Sequence, residues 1–277
     1  MLVSTEDLAS HLGDPDWVVI DTRHDLSNPG QGRAAWRAGH IPGAFHLHLD
    51  EDLSGATTGR NGRHPLPDPA SLAVKLASCG VAPGRQVVVY DDTGNCFSVR
   101  LWWLLTWLGH DRVALLDGGL KAWLAEGRPV DDRVPPRRAG QVSATPRERL
   151  TVDREHVLAT RGQAGACLID ARAPGRFHGE GETLDPVGGH IPGAENRFWQ
   201  MNLQPDGRFR PPEVLKQQFL ELMGGARPED TMHSCGSGVT ACHNLFAMTL
   251  AGLAGSRLYP GSWSEWCAHP ELPVSTE

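Results

Sequence analysis

The chain is written twice. Ile20-Asp21-Thr22-Arg23 returns as Ile169-Asp170-Ala171-Arg172, and His40-Ile41-Pro42-Gly43-Ala44 returns unchanged as His190-Ile191-Pro192-Gly193-Ala194. Gly118-Gly119-Leu120-Lys121-Ala122-Trp123 matches the spacing of Gly261-Ser262-Trp263-Ser264-Glu265-Trp266. These landmarks recur at a nearly constant offset of roughly 145 residues, as expected for two copies of one domain separated by small insertions and deletions. A length of 277 residues is large for one domain and comfortable for two. The copies are read as 1–127 and 151–277, joined by a linker over 128–150. Pro129, Pro135, Pro136 and Pro146 punctuate that region among several arginines and few large apolar residues. Proline fixes φ and lacks an amide donor, so the stretch reads as extended.

Within each copy, short apolar runs alternate with helical patterns. Residues 17–20, 86–90 and 113–116 read as strands, and 70–79 and 98–108 as helices. Trp102, Trp103 and Trp107 fall on helical spacing and read as core. The alternation implies an α/β fold, each copy a mainly parallel sheet with helices on both faces. In such sheets ligands bind beyond the C-terminal ends of the strands.

A strand-like run over 231–234 and an apolar helix-like run over 245–253 place Cys235-Gly236-Ser237-Gly238-Val239-Thr240-Ala241 at such an end. The glycines let the backbone curl so that successive amides can face one sulfur. Those amides and the positive end of the following helix favour a thiolate. A nucleophilic cysteine and a buried structural cysteine are both open on this evidence. Phosphatase chemistry is excluded, because the position where a cysteine phosphatase carries its phosphate-gripping arginine is Ala241. In the first copy Asp91 stands where the second has Cys235, so the first copy has no sulfur nucleophile at that place.

Net charge is −7, which leaves no basic footprint for nucleic acid. The N-terminal residues show no signal-peptide pattern, and no apolar run is long enough to span a bilayer, so a cytoplasmic protein without membrane association is expected. The six cysteines form neither a CxxC pair nor a zinc spacing; most are expected to be reduced and inert.

On these motifs the chain resembles the tandem-domain rhodanese superfamily over essentially its whole length. The repeated Asp-x-Arg and Gly-His-Ile-Pro-Gly-Ala elements and Gly-Ser-Trp-Ser-Glu-Trp match its signatures. The resemblance implies an inactive N-terminal domain and a C-terminal domain whose cysteine cycles through a persulfide, with no metal or organic cofactor. The Cys-Gly-Ser-Gly-Val-Thr-Ala loop is similar to that of the 3-mercaptopyruvate sulfurtransferases, whereas thiosulfate sulfurtransferases usually carry cations in the loop. Gly236 and Ser237 supply none.

The same resemblance implies a catalytic relay of Ser237, His64 and Asp50 beside Cys235. It also implies donor binding by Arg176 and by the loop residues Gly236, Gly238, Val239 and Thr240. The implied donor is 3-mercaptopyruvate, and the implied acceptor is cyanide, a small thiol or thioredoxin. Thiosulfate:cyanide transfer and a persulfide carrier serving a partner protein are the alternatives. The pattern also calls for a second donor-binding arginine before His190, but Glu182-Thr183-Leu184-Asp185-Pro186 offers none, and Asp185 is nearer the thiosulfate pattern. Arg197 is a candidate replacement that nothing in the sequence requires. Asp21, Arg23, Asp170, Arg172, His40 and His190 recur in both copies and read as scaffold.

Overall fold

The computed structural model describes residues 1–277. It contains two compact α/β units, each with its own sheet. The first sheet has five strands in the order β1-β5-β4-β2-β3, where β1 is Leu2–Val3, β2 Trp17–Asp21, β3 Phe45–His46, β4 Gln86–Tyr90 and β5 Val113–Leu116. The second has four in the order β7-β6-β8-β9, where β6 is Cys167–Asp170, β7 Ala194–Asn196, β8 Thr231–Ser234 and β9 Arg257–Leu258. Every strand pairing is parallel. Strands β5, β6 and β8 are buried throughout, and β5 reads as a continuous apolar run for that reason.

The expected helices form. Helix Pro69–Ser78 starts on Asp68, whose carboxylate accepts from the Ser71 amide 2.8 Å away. Helix Ser98–Trp107 has nearly every side chain buried, Trp102, Trp103 and Trp107 among them, so the tryptophans are core. Helix Ala241–Leu250, which follows the cysteine loop, is equally enclosed. Phe246 in it is fully buried and contributes about 1.5–3 kcal/mol by leaving water.

The duplication is reproduced bond for bond. Arg23 Nη2 donates to the Gly39 carbonyl and Arg172 Nη2 to the Gly189 carbonyl, each at 2.7 Å, and both arginines also pair with the aspartate two residues before them. Trp123 Nε1 donates to the Pro129 carbonyl and Trp266 Nε1 to the Pro273 carbonyl, each at 2.8 Å. His40 and His190 use Nδ1 on the carbonyls of Trp36 and Phe177. The recurring polar residues are therefore strand-end ties, in the scaffold role that repetition suggests.

The compact units depart from the linear division of the sequence. The first comprises Met1–Gly55, Leu66–Arg147 and Pro205–Phe209; the second comprises Ala56–Pro65, Glu148–Gln204 and Arg210–Glu277. Residues 56–65, which the sequence reading assigns to the N-terminal copy, thus belong to the unit that holds Cys235. Most of the 128–150 linker packs with the first unit: the Asp131 amide pairs with His40, and Arg138 reaches the carbonyl of Trp17. No helix is long and apolar enough to cross a membrane.

Candidate active site

Cys235 follows the C-terminal end of β8, as the strand–loop–helix pattern predicts. The Ser237 and Gly238 amides lie 3.4 and 3.1 Å from its Sγ, so the loop curls around the sulfur. The amides of Gly236, Val239 and Thr240 have no protein acceptor. Gly238 sits at φ +74°, and a Cβ there would lie 2.3 Å from the Pro260 carbonyl oxygen. The tight turn therefore requires glycine at this position. The closing motif clamps the loop from the other side. Ser262 Oγ accepts from the Cys235 amide at 3.1 Å, and the Trp263 and Ser264 amides donate to the carbonyls of Cys235 and Gly236. Cys235 is 2 % exposed.

The equivalent loop of the first unit is filled from within. Asp91 is fully buried, and its two carboxylate oxygens accept from the amides of Thr93, Asn95, Phe97 and Ser98 at 2.8–3.0 Å. Burial pushes this carboxyl up, and the four amides oppose that push. In one unit the amide cradle holds a permanent carboxylate; in the other it presents its donors to a sulfur.

Ser237 and His64 meet. Ser237 Oγ lies 2.7 Å from His64 Nδ1, and both side chains are buried. With the imidazole in its Nε2–H form, the hydroxyl donates to Nδ1, an arrangement suited to moving a proton. Asp50 lies in the first unit, in the short helix Leu49–Asp52. One of its oxygens is 3.8 Å from His24 Nε2 and 3.9 Å from His48 Nδ1.

Those three residues bring ligand-type atoms within 4.8 Å of one another. However, His48 Nδ1 already accepts from the Asp50 and Glu51 amides, and its Nε2 lies 2.8 Å from the Pro29 carbonyl oxygen. Taking His48 as a ligand would uncap the helix, which leaves two side chains for a metal, too few for a tetrahedral site.

Arg176 is on the short helix Pro174–Phe177, with Nε 2.9 Å from Glu182 Oε2 and Nη2 3.1 Å from Asp185 Oδ2. Arg197 is not at the loop's disposal. It donates to Asn202 and Gln218, its guanidinium lies 4.2 Å from the centre of the Phe219 ring, and burial lowers its pKa to about 10.

Sequence reasoning missed one basic group here. Arg63, which directly precedes His64, forms an ion pair with Asp185 and reaches the loop at Gly236. The one available signal was its place beside a relay residue.

The chain is similar to known proteins over nearly its whole length. The Rhodanese-like domain family model matches residues 4–126 and again 154–269. A Pseudomonas aeruginosa protein named "Probable 3-mercaptopyruvate sulfurtransferase" is 48 % identical over 277 residues, 99 % of this chain and 98 % of that protein. The thiosulfate sulfurtransferase of Azotobacter vinelandii is 31 % identical, over 99 % of this chain and 96 % of its own length. The crystal structure of a 3-mercaptopyruvate sulfurtransferase from Escherichia coli superposes with a TM-score of 0.81 at 32 % identity, covering 95 % of this chain and 98 % of that one.

Proposed function

Since this chain belongs to the rhodanese family, with a rhodanese-like domain in each half, we propose that it is a sulfurtransferase that takes sulfur from 3-mercaptopyruvate onto Cys235 and releases pyruvate. The Cys235 thiolate attacks the donor's sulfur. An S–S bond forms, the donor's C–S bond breaks, and its electron pair passes to the adjacent carbon as pyruvate enolate. Ser237 and His64 remove the donor's thiol proton and return a proton to the enolate carbon. Asp50 completes that relay on the strength of the sequence resemblance. The amides of Ser237 and Gly238 hold the charge of the resulting persulfide.

In the second half-reaction a nucleophile takes the outer sulfur and restores the thiolate. Cyanide, a small thiol or a reduced thioredoxin has the required chemistry. The cytoplasm, where thiol pools keep such a cysteine reduced, is the setting this cycle needs.

The observation that carries this reading is the 2.7 Å contact between Ser237 Oγ and His64 Nδ1. A thiol donor needs a group that takes its proton and returns one to carbon; thiosulfate needs neither. Thiosulfate transfer on the same cysteine is the second reading, favoured by Asp185 and by the relative of that name. Steady-state transfer to cyanide from each donor, with Cys235→Ser as control, separates the two. A preference for 3-mercaptopyruvate supports the first reading, and a preference for thiosulfate supports the second.

A further inference from the structure

Ser264 bonds to the neighbours of both relay residues. Its amide donates to the Gly236 carbonyl at 2.9 Å, fixing the peptide unit that leads into Ser237. Its Oγ accepts from the Arg63 amide at 3.0 Å, fixing the residue that leads into His64. The same hydroxyl donates to the Gly261 carbonyl, 3.2 Å away, at the start of the short helix Ser262–Trp266. One side chain thus accepts from the relay segment and donates to its own turn.

Residues 56–65 form neither helix nor strand, so His64 owes its position to individual ties. Gly62, at φ +84°, runs against Gly261, whose carbonyl oxygen would lie 2.8 Å from any Cβ there. Arg60 Nη2 lies 3.0 Å from His269 Nδ1, and the Arg60 carbonyl 3.3 Å from His269 Nε2. Of these ties, the one through Ser264 also bonds the cysteine loop. The duplication supplies a control. Where the second unit has Ser264 the first has Lys121, which is exposed and whose side chain cannot accept from an amide. Trp123 and Trp266, the scaffold residues of the same motif, are kept in both copies. The serine goes with the copy that carries Cys235.

Resting on the sulfur-transfer reading above, we infer that Ser264 is the positioning residue of the Ser237–His64 relay: its two bonds set the 2.7 Å gap across which the proton moves, and so favour a donor that has a thiol proton to lose. It acts through Ser237 and His64 rather than on the donor. Proton transfer requires hydrogen-bond reach, and a displacement of about 1 Å can cost about 100-fold in rate. Removing Oγ leaves the Ser264 amide on Gly236 but strips the Arg63 amide of its acceptor. The damage therefore falls on the His64 side of the gap and spares the curl of the loop around Cys235.

The test is steady-state transfer to cyanide from 3-mercaptopyruvate and from thiosulfate in Ser264→Val and Ser264→Thr, two side chains of one shape that differ by the hydroxyl. In Ser264→Val, kcat for mercaptopyruvate is expected to fall about 10- to 100-fold with KM little changed, and kcat for thiosulfate to fall much less. Ser264→Thr should restore most of the mercaptopyruvate rate. Ser264→Val beside His64→Ala should cost little more than His64→Ala alone, because the serine acts through that histidine. Ser264→Ala, read in the same way, serves if the valine variant does not fold. Equal losses with both donors, equal rates in the valine and threonine variants, or a loss that adds in full to that of His64→Ala would overturn the assignment. A wild-type protein that turns over neither donor, or thiosulfate alone, would instead overturn the reading on which it rests.

Discussion

Ser237 Oγ and His64 Nδ1 lie 2.7 Å apart although 173 positions separate them in the chain. The hydroxyl is two residues beyond the cysteine, and its own amide faces the sulfur. One residue therefore links the loop that would carry the sulfur to the group that would carry the proton.

That linkage is tested by Ser237→Ala and His64→Ala. General acid–base help of this kind is worth about 10²- to 10⁴-fold, so turnover of 3-mercaptopyruvate should fall in that range. Thiosulfate turnover should fall much less, since that donor has no proton to lose. Equal losses with both donors would remove the relay from the mechanism.

Gly238 tests the loop itself. In Gly238→Ala the new methyl would meet the Pro260 carbonyl at 2.3 Å and would sit at φ +74°. The substitution is expected to destabilise the protein by about 1–3 kcal/mol and to slow transfer from both donors alike. Wild-type transfer in a folded variant, checked by circular dichroism, would show that the amide geometry at Cys235 is dispensable.

Asp91 is expected to be structural. Asp91→Asn puts an amide NH₂ against backbone donors and should cost about 2–3 kcal/mol of stability, read as a lower Tm. Activity per folded molecule should stay at the wild-type level. A large fall in kcat without a fall in Tm would give the first unit's loop a chemical role.

Acid stability should carry the mark of His233. Complete burial, with the nearby charge of Arg197, lowers its pKa to about 3. The neutral ring is therefore favoured by folding, while the unfolded chain protonates near pH 6.5. The contribution is fully present above that pH and is lost as pH falls toward 3, at up to about 1.4 kcal/mol per pH unit. The urea midpoint of the wild type should drop between pH 7.5 and pH 5 by more than that of His233→Gln. Parallel drops would assign the acid sensitivity to other groups.

The duplication made most of the fold legible. Strands placed at 86–90 and 113–116 form at those residues because apolar runs bounded by turns are what a buried parallel strand requires. The cysteine loop was legible for a similar reason: its glycines and its position between strand and helix are local properties.

What was not legible is set by long-range convergence. No spacing announces that residues 56–65 join the second unit, because that depends on Gly62 fitting against Gly261. The sequence pattern directs attention to an arginine near Asp185, yet one of the two guanidiniums that meet Asp185 comes from 122 positions earlier. Arg197, the nearer candidate in sequence, is held instead by Asn202, Gln218 and the Phe219 ring.

The central claim is that Cys235 carries the sulfur. The most direct measurement treats the protein with one equivalent of 3-mercaptopyruvate without acceptor, then determines the pyruvate released and the mass of the Cys235 peptide. The expected result is one pyruvate per active site and one added sulfur atom on that peptide, discharged by cyanide and absent in Cys235→Ser. Pyruvate release without sulfur on Cys235, or release that persists in Cys235→Ser, would contradict the account.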